Sequence, residues 1–194
     1  MNFIYLAFLD TLALTASLPS HMHLFPAADA FREIRLRENT ERGWPLHAEE
    51  VDALREIRLR EETERGWRLH PDYAKWNSLR NILSRVRHLP ACKDFTLGAV
   101  RLEMLRPHGI VPWTPPAEGP EILHLALTTN PGAQMICGLE HLHLAPGYLY
   151  WINRRVPTTQ CNFGEWPRIH LVIEAAKEAP ESLAEDVVAP QDET

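Results

Sequence analysis

IVPWTPPAEGPEILHLALTTNPGAQM (Ile110–Met135) and LAPGYLYWINRRVPTTQCNFGEWPRIHLVIEA (Leu144–Ala175) decide the fold. Both stretches break into short runs of β-branched, aromatic and other apolar residues. With the segment just upstream, they read as strands at Phe95–Leu105, Glu121–Thr129, Gln134–Leu144, Tyr148–Asn153 and Pro167–Glu174. Between the runs stand Pro107-His108-Gly109, Asn130-Pro131-Gly132, Ala145-Pro146-Gly147 and Asn162-Phe163-Gly164, each of which carries turn chemistry. Several short strands at this spacing suggest an antiparallel barrel or jelly roll. Sixteen prolines against nine glycines agree, because proline interrupts helices.

Upstream of the strands the pattern changes. Trp76, Leu79, Ile82, Leu83 and Val86 recur at helical spacing, so part of Tyr73–Arg87 is expected to pack on the core as a helix. Arg32–His47 (REIRLRENTERGWPLH) is repeated as Arg55–His70 (REIRLREETERGWRLH), with only Asn39/Glu62 and Pro45/Arg68 differing. Two copies are too few for a solenoid. Good helix formers and a Gly-Trp that could end a helix, with Gly43 or Gly66 as the cap, lead us to expect two solvated helices. Phe3–Leu18 is apolar, yet it has Asp10 in its middle, no preceding Lys or Arg, and too short a span for a membrane helix. It reads as a strand, Phe3–Leu9, followed by a short helix through Leu18 with Asp10 as its N-cap. Ala175–Thr194 is acidic, broken by Pro180 and Pro190, and has little to bury, so it is expected to be a disordered tail. The chain thus divides into a strand-and-helix segment (1–90), a β core (91–175) and a tail (176–194), a mainly β, α+β architecture.

Composition excludes several classes. The chain has 194 residues, a formal net charge of −6, 45% hydrophobic and 24% charged residues. That balance is ordinary for a globular domain and offers nothing to nucleic acid or an anionic membrane. Cys92, Cys137 and Cys161 are odd in number, far apart and without CxxC spacing, which fits a reducing, cytoplasmic compartment better than a disulfide framework or a zinc knuckle.

The order of these features resembles the core of an aspartyl/asparaginyl β-hydroxylase domain and is similar to bacterial proline hydroxylases of the same fold. It comprises a turn into a first strand, a strand with an inward histidine, the turn "TNPG", then "APG-YLYWIN" and a closing "RIHLV". The resemblance covers most of Tyr73–Ala175 and implies a cupin-like double-stranded β-helix (jelly roll). It implies an iron/2-oxoglutarate oxygenase ancestry, in which His-x-Asp and a distal His hold iron and leave positions open for cosubstrate and oxygen. On this chain those positions fall on Trp113, Pro115 and Thr158. Indole and proline cannot ligate iron, and a lone threonine is a poor ligand. The family's Arg-x-His becomes Ile122-Leu123-His124, and the arginine that meets the cosubstrate carboxylate is matched by Arg168. The expectation is therefore no metal and no cofactor, and a pocket that keeps its carboxylate corner.

Strand parity places Arg168 with His170, and His124 with Ile122, on one face. The expected lining is Trp113, Ile122, His124, Thr158, Arg168 and His170. Arg168 would orient a substrate carboxylate or an oxyanion, and a histidine would carry a proton as general base or acid. These groups suffice for isomerisation, elimination or cyclisation of a small carboxylate-bearing substrate. Each also has a structural reading: core histidines bonded to carbonyls, Arg168 paired with Glu121 or Glu165, Trp113 plugging the former metal site. His141 and His143 have the i, i+2 spacing of a two-imidazole metal face, but a solvated pair is favoured because no third ligand is evident. A non-catalytic ligand- or protein-binding relative, and an oxygenase with unusual iron ligands, stay as alternatives. The sequence leaves the oligomeric state open.

Overall fold

The computed structural model describes residues 1–18, 54–63, 66–69 and 76–177. It opens with β1 (Phe3–Phe8) and α1 (Leu12–Ser17), then the hairpin β2 (Leu54–Thr63) and β3 (Gly66–Leu69), then α2 (Asn77–Arg87). A 3-10 turn (Pro90–Cys92) leads into β4 (Phe95–Leu105), β5 (Gly109–Thr114), β6 (Glu121–Thr128) and β7 (Ala133–Cys137). The chain continues through β8 (Glu140–Leu142), β9 (Tyr148–Ile152), β10 (Thr158–Asn162) and β11 (Arg168–Lys177). Two antiparallel sheets result, one ordered β1-β9-β6-β11-β4-β2-β3 and the other β5-β10-β7-β8. This is the expected double-stranded β-helix. Among the described residues no helix is long and apolar enough to cross a membrane.

Alternation along the central strands gives the larger sheet two different faces. Leu123, Leu125 and Leu127 of β6, Leu102 and Met104 of β4, and Ile169, Leu171 and Ile173 of β11 join one apolar cluster with the helices. Leu79, Ile82 and Val86, spaced three and four apart, are the stripe by which α2 enters it. Burying each such side chain is worth about 1.5–3 kcal/mol, so a charge at Ile82 would detach the helix. The opposite face looks towards the smaller sheet. There Ala126, Tyr150 and Ile152 meet Met135, Cys137 and Leu144, while the same face of β4, β6 and β11 carries polar groups.

Several boundaries differ from the sequence reading. The second repeat copy is a hairpin, not a helix: β2 pairs with β4 from Leu54↔Leu105 to Arg60↔Val100, and with β3 from Arg60↔Leu69 to Thr63↔Gly66. Its propensity is helical, but the free edge of β4 offers a ladder of backbone partners, and tertiary context overrides propensity. Leu59, at a register shift between Arg58 and Arg60, is buried, and Glu56 is exposed. The first copy lies outside the described residues, as do residues 73–75 and 178–194; Ala176 and Lys177 belong to β11.

Gln134–Leu144 is split by a two-residue turn between Cys137 and Glu140. Gly138 comes first in it with φ +61°, as a type II′ turn requires. Two strands were not anticipated. β5 contains Pro112, which its edge position tolerates, and β10 is polar (TTQCN). The cap of α1 is Thr11 rather than Asp10, although the Asp10 carboxylate still accepts the Leu12 N–H at 3.0 Å.

Candidate functional site

β11 lies between β6 and β4, and its inward positions bring the polar residues of three strands into register. Opposite His170 stand Glu103 and Ala126, and opposite Val172 stand Arg101 and His124. His124, Glu103, Arg168 and His170 are each less than 5% exposed. Arg168 Nη1 lies 2.7 Å from His170 Nδ1, and His124 Nδ1 lies 3.4 Å from the same nitrogen.

A guanidinium only donates, so His170 Nδ1 accepts and the ring proton sits on Nε2. His124 Nδ1–H then donates to the shared nitrogen, which leaves the lone pair of His124 on Nε2. This tautomer pair is assigned from the network. His170 Nε2, Arg168 Nε and Arg168 Nη2 are buried without a partner, as is Glu103 Oε2. Three donor nitrogens and one carboxylate oxygen are thus left unsatisfied inside the barrel. Each buried orphan costs about 1–3 kcal/mol.

Charge grades outward from this cluster. Arg101 Nε binds Glu103 Oε1 at 3.0 Å, its Nη1 binds Glu174 Oε1 at 3.1 Å, and Glu56 approaches its Nε at 3.5 Å. Burial pulls the His124 pKa down to about 4, with Glu103 opposing and Arg168 and Arg101 assisting. Burial, then Arg168 and His124, hold His170 well below its usual range. Burial lowers Arg168 to about 10, against Glu103 and Cys161, so it stays charged at neutral pH. Burial raises Glu103, yet nearby positive charge overcomes it and the net shift is downward. His124 leads the positive charges that lower Glu103, followed by Arg101 and Arg168; with His124 uncharged near neutral pH, the two guanidiniums are the positive partners that remain.

Of the expected lining, Arg168, His170 and His124 come together, and half-buried Ile122 shares their face two residues from His124. Trp113 and Thr158 lie on the other sheet. Trp113 is 56% exposed and forms no wall of the buried cluster. Its strand lies at the sheet edge, and its pairing with β10 shifts register between Val111 and Thr114, on either side of Trp113. Thr158 is half-buried, opposite Thr114 and Cys137. Arg168 does not pair with Glu121, which binds Arg155 at 2.9 Å and accepts from Trp151 Nε1 at 2.6 Å.

His141 is exposed, while His143 Nδ1 bonds the Ala133 carbonyl at 2.9 Å. The reading missed Glu103, Arg101 and Glu174. Arg101-x-Glu103 on a strand was the available signal, since that spacing puts both charges on one face.

The iron implied by the resemblance does not fit the described residues. The matched positions offer an indole, a proline ring and a hydroxyl, and among the described residues no group of three or more His, Cys, Asp or Glu is arranged to hold a metal ion. His124, His170 and Glu103 are two imidazoles and a carboxylate, but a guanidinium occupies the lone pair of His170 Nδ1. Two His-x-acid spacings do occur, His47-Ala48-Glu49 and His70-Pro71-Asp72, both outside the described residues.

No protein-family model matches the chain, and no curated protein matches it. Solved structures do. A 2OG-Fe(II) oxygenase family oxidoreductase from Burkholderia pseudomallei superposes with TM-score 0.52 at 9% identity, over 66% of this chain and 70% of that one. A Pseudomonas putida prolyl-4-hydroxylase gives TM-score 0.51 at 9% identity, over 92% and 94%. At such identity the likeness speaks for the double-stranded β-helix fold.

Proposed function

We propose that this chain is a hydroxylase-fold protein that works without iron, binding a small carboxylate-bearing molecule inside the barrel and moving a proton on it without redox chemistry. The observation that carries this reading is the set of buried, unpartnered N–H donors on Arg168 and His170. A carboxylate or enolate-like oxyanion would satisfy Arg168 Nε and Nη2 as a bidentate pair, with His170 Nε2 left to donate to a second acceptor of the ligand, and charge-assisted bonds of this kind are the stronger ones. His124, neutral with its Nε2 lone pair free, is the base, and Glu103 Oε2 accepts from a substrate hydroxyl or ammonium. An isomerase, cyclase or lyase reaction needs only these parts.

A second reading, a ligand-binding relative without turnover, is favoured by one fact: the cluster is wholly buried, so entry requires the barrel to open. Calorimetry with a panel of small mono- and dicarboxylates tests binding, and Arg168→Met should abolish it. Product formation that survives both His124→Ala and His170→Ala, with near-UV dichroism unchanged, refutes the catalytic assignment. Binding without product leaves the second reading. No binding by any carboxylate refutes both.

A further inference from the structure

The repeat that ends as β2 and β3 has a twin, and the twin preserves nearly everything that holds β2 in the sheet. Ten residues of β2, LREIRLREET, correspond to Phe31–Thr40, FREIRLRENT, with only Leu54/Phe31 and Glu62/Asn39 changed. Asp52-Ala53 before it matches Asp29-Ala30. Backbone pairing with β4 runs from Leu54↔Leu105 to Arg60↔Val100. The corresponding residues of the first copy, Phe31 to Arg37, contain no proline and can make the same ladder. Leu59, fully buried, is matched by Leu36, and Glu56, which reaches Arg101 at 3.5 Å, is matched by Glu33.

We propose that the two copies are interchangeable occupants of the β4 edge, so that the chain exchanges between two registers 23 residues apart. The occupant is one named segment, Phe31–Leu46 in place of Leu54–Leu69. Chain length permits the shift. Residues 19–30, twelve in number, separate Leu18 from Phe31. Extended, they reach about 40 Å, comparable to the full width of a domain this size. On the far side the connection to α2 lengthens, and loop closure grows only slowly with length.

Pro45 stands where Arg68, opposite Glu61, sits on β3. β3 is the outermost strand, where proline is tolerated at the loss of at most one ladder bond. The second copy is therefore the favoured occupant by no more than about tenfold, or about 1.4 kcal/mol. Exchange leaves the inner site intact, because Glu33 replaces Glu56 beside Arg101.

Proline substitution in the full chain separates the copies. Ile57, opposite Leu102, lies in the middle of the stretch that β2 pairs with β4, where proline removes the backbone N–H and fixes φ away from the extended strand value, so it disrupts that ladder. We expect Ile34→Pro alone to leave Tm unchanged, and Ile57→Pro alone to lower it by no more than about 5 °C, because the first copy takes over. The double variant should lose more than about 10 °C or its cooperative transition. If Ile57→Pro costs as much as the double variant, or Ile34→Pro is itself destabilising, the copies are not interchangeable.

A second chain, lacking residues 32–54, makes the short linker carry the hairpin. It should fold with Tm within about 5 °C of the parent. A chain that unfolds or aggregates shows that the linker cannot reach, and overturns the proposal.

Discussion

Acid should unfold this protein well above the pH at which its carboxylates titrate. His124 has a folded pKa of about 4, against about 6.5 in the unfolded chain. Between those values the unfolded state binds more protons, so stability rises with pH across the window and falls as pH drops through it. The stability is fully present above pH 6.5 and is lost progressively towards pH 4. A difference of about 2.5 units amounts to about 3 kcal/mol in full, of which about 2 kcal/mol is lost between pH 7 and pH 5.

His170 is shifted in the same direction and adds to the loss. Glu103, whose folded pKa is lowered, supports stability above its unfolded value and loses it only as pH falls further. Urea unfolding at pH 7, 6 and 5 reads the effect as a falling midpoint with an unchanged slope. An equal midpoint at pH 7 and pH 5, or a His124 ring that titrates near 6.5 in the folded protein by NMR, would refute the reasoning.

The site's charges should respond asymmetrically to removal. Arg168→Met deletes two unpartnered donor nitrogens but leaves His170 Nδ1 without its donor and buried Glu103 with one compensating charge fewer, so urea unfolding should find it less stable by about 1–3 kcal/mol. Glu103→Ala leaves Arg101 and Arg168 facing each other, and should cost about 3–5 kcal/mol. A second knot lies at one end of the barrel. Asn162 Nδ2 donates to the carbonyls of Leu105, Arg106 and Trp166, and its Oδ1 accepts from Asn130 Nδ2 at 2.9 Å and Gly164 N at 3.2 Å. Asn162→Ala should therefore lower stability by about 2–4 kcal/mol in the same assay. Gly132→Ala would set a Cβ 2.5 Å from the Gly164 backbone nitrogen, so it should impair folding and show as a loss of soluble, cooperatively melting protein.

Much of the barrel was legible because its strands are punctuated. Phe95–Leu105 is found with the bounds expected, and Glu121–Thr129 and Tyr148–Asn153 each end one residue early. β5 and β10 were not legible: one contains a proline and the other is polar, and both form because neighbouring strands of their own sheet supply backbone partners. The second repeat copy misled in the opposite sense, since its composition suits a helix and only the free edge of β4 makes it a strand. At the site, parity correctly grouped Arg168, His170 and His124. The same parity could have grouped Glu103 with Arg101, but the neighbour that ties Glu103 to the site, His170 on β11, lies far off in sequence and adjacent only in the sheet. Trp113 was drawn inward by the family pattern, yet on an edge strand whose register shifts between Val111 and Thr114 it stands in solvent instead.

Metal content after anaerobic reconstitution with iron, paired with calorimetry of 2-oxoglutarate, tests the central claim most directly. We expect no stoichiometric iron and no oxidative turnover, with any 2-oxoglutarate binding independent of metal and lost in Arg168→Met. One iron per chain with 2-oxoglutarate turnover would contradict the account and direct attention to His70-Pro71-Asp72 and His47-Ala48-Glu49 as ligands.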